Sequence, residues 1–411
     1  MGKLKSLFII AASVSCAIAI GTSTSAGEFL RGAAYFSAGA SVDEIMRSES
    51  GSRAGDPNIT DSSGGTSAPN AYGISDVPAN ESSAGAYSYD ASDDVPAPIG
   101  TESYSETSDA EPAPRVLGKV IMKNRTEGVD DVDYSQFTEK SGSIERYNFG
   151  YYDDPNIITL SSGAQIRNYT DDENADLLAA SALLPSFRDF DGFEIGSEEP
   201  QVLIYHTHTS ESYLPYGDSY DEDYPIRSSD CSRNMTAVGD AICEALAERG
   251  ISSVHDCTVY DFPMFTGAYY RSAENMLAIL EEYPSIKIAI DIHRDGIVND
   301  DGSVTAPIAE VKGRTAAQFM IITGCDSPET DFPNYIQNFK MACLLQNCAE
   351  YACPGLARPI LFDYRNYNQS LFDGDLLIEV GSQGNSLGEA LYTGELLGGI
   401  IADAIERLTQ Q

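Results

Sequence analysis

From Gln201 onward, apolar runs of strand length alternate with stretches of helical period, and few folds satisfy that pattern. "QVLIYH" (Gln201–His206), "ISSVHD" (Ile251–Asp256), "IKIAIDIH" (Ile286–His293), "AAQFMIITG" (Ala316–Gly324), "RPILFDYR" (Arg358–Arg365) and "DLLIEVGS" (Asp375–Ser382) read as strands. Met235, Val238, Ile242 and Leu246 share one helical face, and Gly250 stops that helix. Met276, Leu280 and Tyr283 mark a second helix, Phe332–Ala349 a third, and Leu387–Leu408 a fourth. "IKIAIDIH" is apolar except for Lys287 and Asp291 up to its end, as in a strand buried on both faces. The expectation is an α/β domain over 200–411, with a mostly parallel sheet and helices on both faces. Such sheets bind ligands beyond the carboxyl ends of their strands.

The part before this domain has a different character. Lys3 and Lys5 precede the uncharged apolar run Leu7–Ile20, and small residues follow up to Ala26. Residues 1–26 therefore read as a signal peptide or membrane anchor, shorter than the roughly 20 apolar residues of a comfortable span. Residues 27–115 are expected to be a largely disordered acidic linker: Ser48–Pro114 is rich in Ser, Gly, Ala, Pro and Asp and carries one basic residue, Arg53. Residues 116–199 are expected to form a small membrane-proximal region. Within it "VLGKVIMKN" and "IITLSSGAQIRNY" are β-like and "NADLLAASALLPSF" is helical. The net charge of −38 excludes a grip on nucleic-acid phosphates or on anionic lipid, both of which need clustered Lys and Arg. Of the eight Cys, Cys16 lies in the apolar run, and no CxxC occurs among the other seven. Those seven are expected to be buried apolar side chains with one or two disulfides among them.

Four His are present, and three fall at the ends of expected strands. His206 and His208 end the first strand in "YHTHTSES", and His293 ends the third in "IDIHRDG". In extended chain His206 and His208 point to one face. Two imidazoles and a carboxylate with one open position make a catalytic zinc site. Glu211 is the nearest carboxylate, with Asp223 and Asp230 as alternatives. Glu379 ends the last strand in "LLIEVG". Burial there raises a carboxyl toward neutral pH, which suits a general base. The competing reading pairs Glu379 with Arg358 or Arg365 at the sheet edge. His255 reads as structural, bonded to Asp256 or Asp261. Arg294 and Asp295 either orient His293 or form a surface ion pair. Tyr216–Tyr224 is an acidic, Tyr-rich loop, either solvated or a lid.

Taken together, "VLIYHTHTSESYLP", "NMTAVGDAICEALAERGISSVHD", "AIDIHRDG" and "RPILFDYRNYNQSLFDGDLLIEVGSQGNSLGEA" resemble the stage II sporulation protein P family, exported cell-wall hydrolases of endospore-forming bacteria. The resemblance covers Val202 to the C-terminus. It implies a zinc-dependent N-acetylmuramoyl-L-alanine amidase with a zinc amidase-like fold and possible endopeptidase activity on peptide cross-links. It implies His208 or His206 as the first ligand, His293 as the second, and Glu379 as the base. Arg358, Asn368 and Asn385 are the residues expected on substrate. The amidases carry a ligand Glu at the start of the first helix. This chain has "SSDCSRNM" there, which leaves the third ligand to Glu211 or an Asp. The resemblance also implies peptidoglycan as substrate, stage II sporulation proteins D and M as partners in engulfment, and a location between mother cell and forespore. The alternatives are a non-catalytic wall-binding scaffold with a degenerate site and a secreted zinc peptidase. The absence of HExxH argues against the commonest peptidase class.

Overall fold

The computed structural model describes residues 116–410 except 126–129, 154, 171–189, 191 and 329–330. The export segment, the acidic linker and the helix expected over 174–187 lie outside the described residues. Nine strands form the main sheet, in the order β1-β7-β5-β8-β13-β11-β12-β4-β3. These are β1 (Val120–Lys123), β3 (Ile157–Thr159), β4 (Gln165–Asn168), β5 (Val202–Tyr205), β7 (Ser253–Asp256), β8 (Ile288–Asp295), β11 (Phe319–Gly324), β12 (Ile360–Asp363) and β13 (Asp375–Ser382). All neighbours run parallel except β13 with β11 and β4 with β3. Among the described residues four α-helices accompany it: α1 (Met235–Glu248), α2 (Ala268–Glu282), α3 (Tyr335–Ala352) and α4 (Leu387–Thr409). A second sheet has the order β10-β9-β2-β6, from β10 (Arg314–Ala317), β9 (Val304–Val311), β2 (Gly142–Tyr147) and β6 (Ser219–Tyr220).

Strand alternation decides where the chemistry lies. Ile288, Ile290 and Ile292 of β8 and Leu376, Ile378 and Val380 of β13 pack with α1, α3 and α4 in the main core. The intervening residues turn to the opposite face, as a period of two requires. There Leu203, Tyr205 and Ala289 meet Met276 and Ile279 of α2. Asp291 and His293 follow Ala289 on that face, and the β13/β8 register sets Leu377 beside Asp291 and Glu379 beside His293.

The sequence reading sets 116–199 apart as its own region, whereas its strands belong to the same two sheets. β1 lies parallel to β7, β4 parallel to β12, and β2 parallel to β9. Short strands with few apolar residues cannot enclose a core alone, and they gain one by pairing with an existing sheet. The run "AAQFMIITG" also divides: Ala316 and Ala317 end β10 in the second sheet, and Phe319 begins β11 in the main one. Gln318 marks the crossing, its amide bonded to Phe149 and Gly355. Cys243, Cys257, Cys343, Cys348 and Cys353 are buried free thiols, so the expected disulfides do not form among them. Among the described residues no helix is long and apolar enough to cross a membrane.

Candidate metal centre

β5 ends at Tyr205, and Thr207–Ser210 is a turn. That turn breaks the alternation that would bring His206 and His208 to one face. His206 is fully buried on the α1 side instead. Its Nδ1 lies 3.1 Å from the Ile292 carbonyl and its Nε2 lies 2.9 Å from His255 Nε2. Burial, reinforced by His255, pushes the His206 imidazole down to about 3, so it stays neutral. His255 Nδ1 lies 3.1 Å from Asp240 Oδ1, and neither expected partner, Asp256 nor Asp261, takes it. Gly239 of α1 makes room for the pair, because a Cβ there would strike both rings. His206 is therefore no member of the ligand set, a correction to the expectation drawn from its spacing.

His208, Glu211 and His293 do converge. One ligand atom from each lies within 4.8 Å of the others. His208 Nδ1 is 3.6 Å from Glu211 Oε1, and His293 Nδ1 is 3.7 Å from Glu211 Oε2. Glu211 is buried and receives the Arg294 N–H at 3.2 Å, with Arg227 Nη2 3.5 Å away. Burial alone would raise its carboxyl, but the His208 hydrogen bond and the charges of Arg294, His208 and His293 hold it well below the usual carboxylate range. The Arg294 guanidinium donates to the Ser212 and Ile226 carbonyls, so it braces the segment that carries Glu211. Asp230 instead binds Ser232, and α1 starts at an Asn234 cap. Tyr216–Tyr224 is tied to β2 through Ser219 and Tyr220.

His293 is oriented by a residue the sequence reading passed over. Its Nε2 lies 2.9 Å from Asp291 Oδ1, which also accepts the Thr207 N–H at 2.8 Å. The expected neighbour Asp295 pairs with Arg358 at 2.9 Å. Burial alone would lower the His293 imidazole, but Asp291, Glu211 and Glu379 raise it to about 9. The pocket thus favours a positive charge between its carboxylates. Two imidazoles and one carboxylate, with a carboxylate behind one ring, are the donors of a catalytic zinc site, and the residues fit that ion.

Glu379 faces this group across the β13/β8 register. The pairing becomes irregular between Glu379 and Ser382, where Gly381 adopts φ 65°. Such bulges re-aim side chains beside functional sites. Burial, with Asp295 as the next cause, pushes the Glu379 carboxyl up to about 8. Its Oε2 is buried and bonds to no described residue. The competing pairing is not formed, because Arg358 holds Asp295 and Arg365 holds Asp363 at 2.8 Å.

The three residues expected on substrate are engaged within the protein. Arg358 is buried with its guanidinium 4.9 Å from the Phe149 ring centre. Asn368 donates to the Tyr269 carbonyl and to Ser272 Oγ. Asn385 is fully buried, accepts the Ser382 N–H, and donates to the Pro307 carbonyl and Glu389.

Two aromatic residues from outside the quoted motifs wall the site. His208 lies 4.6 Å from Phe265 and 5.4 Å from Tyr269, centre to centre. Tyr269 stacks on His293 at 6.4 Å and 12°. Burial, followed by the charges of Asp291, Tyr367, Glu379 and Glu211, raises the Tyr269 phenol well above its usual range. Asp291 could have been found from its two-residue spacing to His293. Phe265 and Tyr269 carry no such signal.

Residues 119–402 match the family described as Stage II sporulation protein P. A Bacillus subtilis stage II sporulation protein P is 31% identical over 199 residues, which is 46% of this chain and 47% of that protein. The match thus spans about half the length of that relative. Among solved structures, N-acetylmuramoyl-L-alanine amidase AmiC2 of Nostoc punctiforme is similar with a TM-score of 0.32 at 15% identity, covering 53% of this chain and 100% of that one. The CwlD amidase of Clostridioides difficile, solved with the GerS lipoprotein, has a TM-score of 0.32 at 12% identity, over 51% and 96%. A metallo-carboxypeptidase of Burkholderia cenocepacia has a TM-score of 0.31 at 11% identity, over 53% and 60%. With the family match running through His208, Glu211, His293 and Glu379, the chain belongs to the stage II sporulation protein P family.

Proposed function

We propose that this chain is a sporulation cell-wall hydrolase that cleaves the amide between N-acetylmuramic acid and the L-alanine of the stem peptide. The observation that carries the reading is the convergence of His208, Glu211 and His293, opposite a half-buried Glu379 whose buried Oε2 bonds to no described residue. A zinc ion bound by those three would supply Lewis acidity toward the scissile carbonyl. The protein's own residues do the rest. Asp291 and the Arg294 backbone fix the ligands in place. Glu379, whose raised carboxyl suits proton transfer near neutral pH, takes a proton from the attacking water and returns it to the leaving amine. The family resemblance adds cross-link cleavage, action with stage II sporulation proteins D and M in engulfment, and a site outside the cytoplasmic membrane, between mother cell and forespore.

The scaffold alternative drew on the missing helix-start Glu. Glu211, just past the turn after β5, stands within reach of both imidazoles, which supports the catalytic reading over the scaffold. The test is digestion of purified peptidoglycan by the zinc-loaded chain. New N-terminal L-alanine on released peptides is the expected product. No solubilisation by protein that holds stoichiometric zinc would favour the scaffold.

A further inference from the structure

Tyr269 is the one phenol that contacts both imidazoles of the ligand set among the described residues. Its ring meets His208 edge-on and lies nearly parallel to His293. The backbone holds it firmly, because its carbonyl accepts Asn368 Nδ2 at 3.0 Å and α2 begins one residue earlier, at Ala268. Asn368 adopts φ 64° to make that contact and also bonds Ser272, one turn further along α2. The neighbouring Tyr367 differs: its hydroxyl is taken by Arg365 Nη1 at 2.6 Å. Among the described residues no such partner holds the Tyr269 hydroxyl.

We propose that the Tyr269 hydroxyl is a catalytic hydrogen-bond donor to the oxyanion formed when water adds to the scissile amide, an inference that rests on the hydrolase reading above. In that step a water electron pair forms the new C–O bond, the carbonyl π pair moves onto oxygen, and the water proton passes to Glu379. On collapse the oxygen pair reforms the carbonyl, the C–N bond breaks, and the amine leaves with the proton from Glu379. The planar ground-state oxygen becomes a charged one during addition. A fixed phenol donor gains strength as that charge develops and needs no reorganisation, which is how oxyanion donors lower a barrier.

The test is Tyr269→Phe in the full zinc-loaded chain, which keeps the ring contacts and removes only the hydroxyl. Zinc stoichiometry should be unchanged and KM should hold, while kcat should fall by about 10²-fold, the usual loss for one such donor. A phosphinate dipeptide, which carries a tetrahedral oxyanion, should bind the variant more weakly by calorimetry, and a planar uncleavable amide should bind equally well. Equal phosphinate affinity and kcat in variant and wild type would overturn the proposal. Loss of zinc from Tyr269→Phe would overturn it as well, because the phenol would then be a ligand. If the wild-type chain binds the phosphinate but hydrolyses no muropeptide, the substrate reading fails, and the calorimetric comparison still decides the role of Tyr269.

Discussion

Asp291 Oδ1 lies 2.9 Å from His293 Nε2, and this contact turns the other ring nitrogen toward Glu211. The same oxygen accepts the Thr207 N–H, so one buried carboxylate sets both the His293 ring and the start of the turn that carries His208. Asp291→Asn keeps the size and the acceptor but loses the charge. Zinc affinity, read by chelator competition, should fall about 10- to 100-fold, as for other residues that orient metal-bound imidazoles. Unchanged affinity would remove Asp291 from that role.

The two His of "HTH" should part company on substitution. His208→Ala should lose bound zinc and, with both proteins stripped of metal, keep a urea midpoint close to that of the wild type. His206→Ala should keep zinc but lose stability, because it leaves His255 Nε2 and the Ile292 carbonyl buried without a partner. Each orphaned group costs roughly 1–3 kcal/mol. Metal analysis and denaturation on the same samples separate the cases, and zinc loss from His206→Ala would refute the assignment.

Glu379→Gln should retain stoichiometric zinc, since the ligand set lies on β8 and the turn after β5. Turnover should fall by about 10²- to 10⁴-fold, the range for a lost general base. Loss of metal would make Glu379 a ligand and leave the site without its base.

Burial pushes the Cys243 thiol up to about 12 and that of Cys348 up to about 11. In the unfolded chain both thiols ionise near their ordinary value of about 8.5. A raised folded value means stability is fully present below the unfolded value and is lost as pH rises through the folded one. The folded protein should therefore resist alkylation of both thiols at mildly alkaline pH, and its stability should decline from about pH 9 upward. Mass spectrometry after iodoacetamide, with and without denaturant, checks this; rapid labelling of the folded protein would count against it.

The periodic pattern determined the strands and helices of the C-terminal half, because burial on a sheet or helix face leaves an apolar residue at every second, third or fourth position. It also determined that His293 and Glu379 lie toward the carboxyl ends of β8 and β13, and β13 matches the run Asp375–Ser382 end to end. Local pattern could not decide what depends on neighbours distant in the chain. β2 and β9 gain their definition from pairing across more than a hundred residues, and the short strands β1, β3 and β4 toward the two edges of the sheet carry too few apolar residues to announce a shared core. Spacing could not separate His206 from His208 either. A turn at Thr207 sends one imidazole to the α1 face and the other to the α2 face, and that turn is held by Asp291, a carboxylate from another strand. The placing of Glu211 beside both imidazoles rests likewise on Arg294 and Arg227, which only the folded chain brings against it.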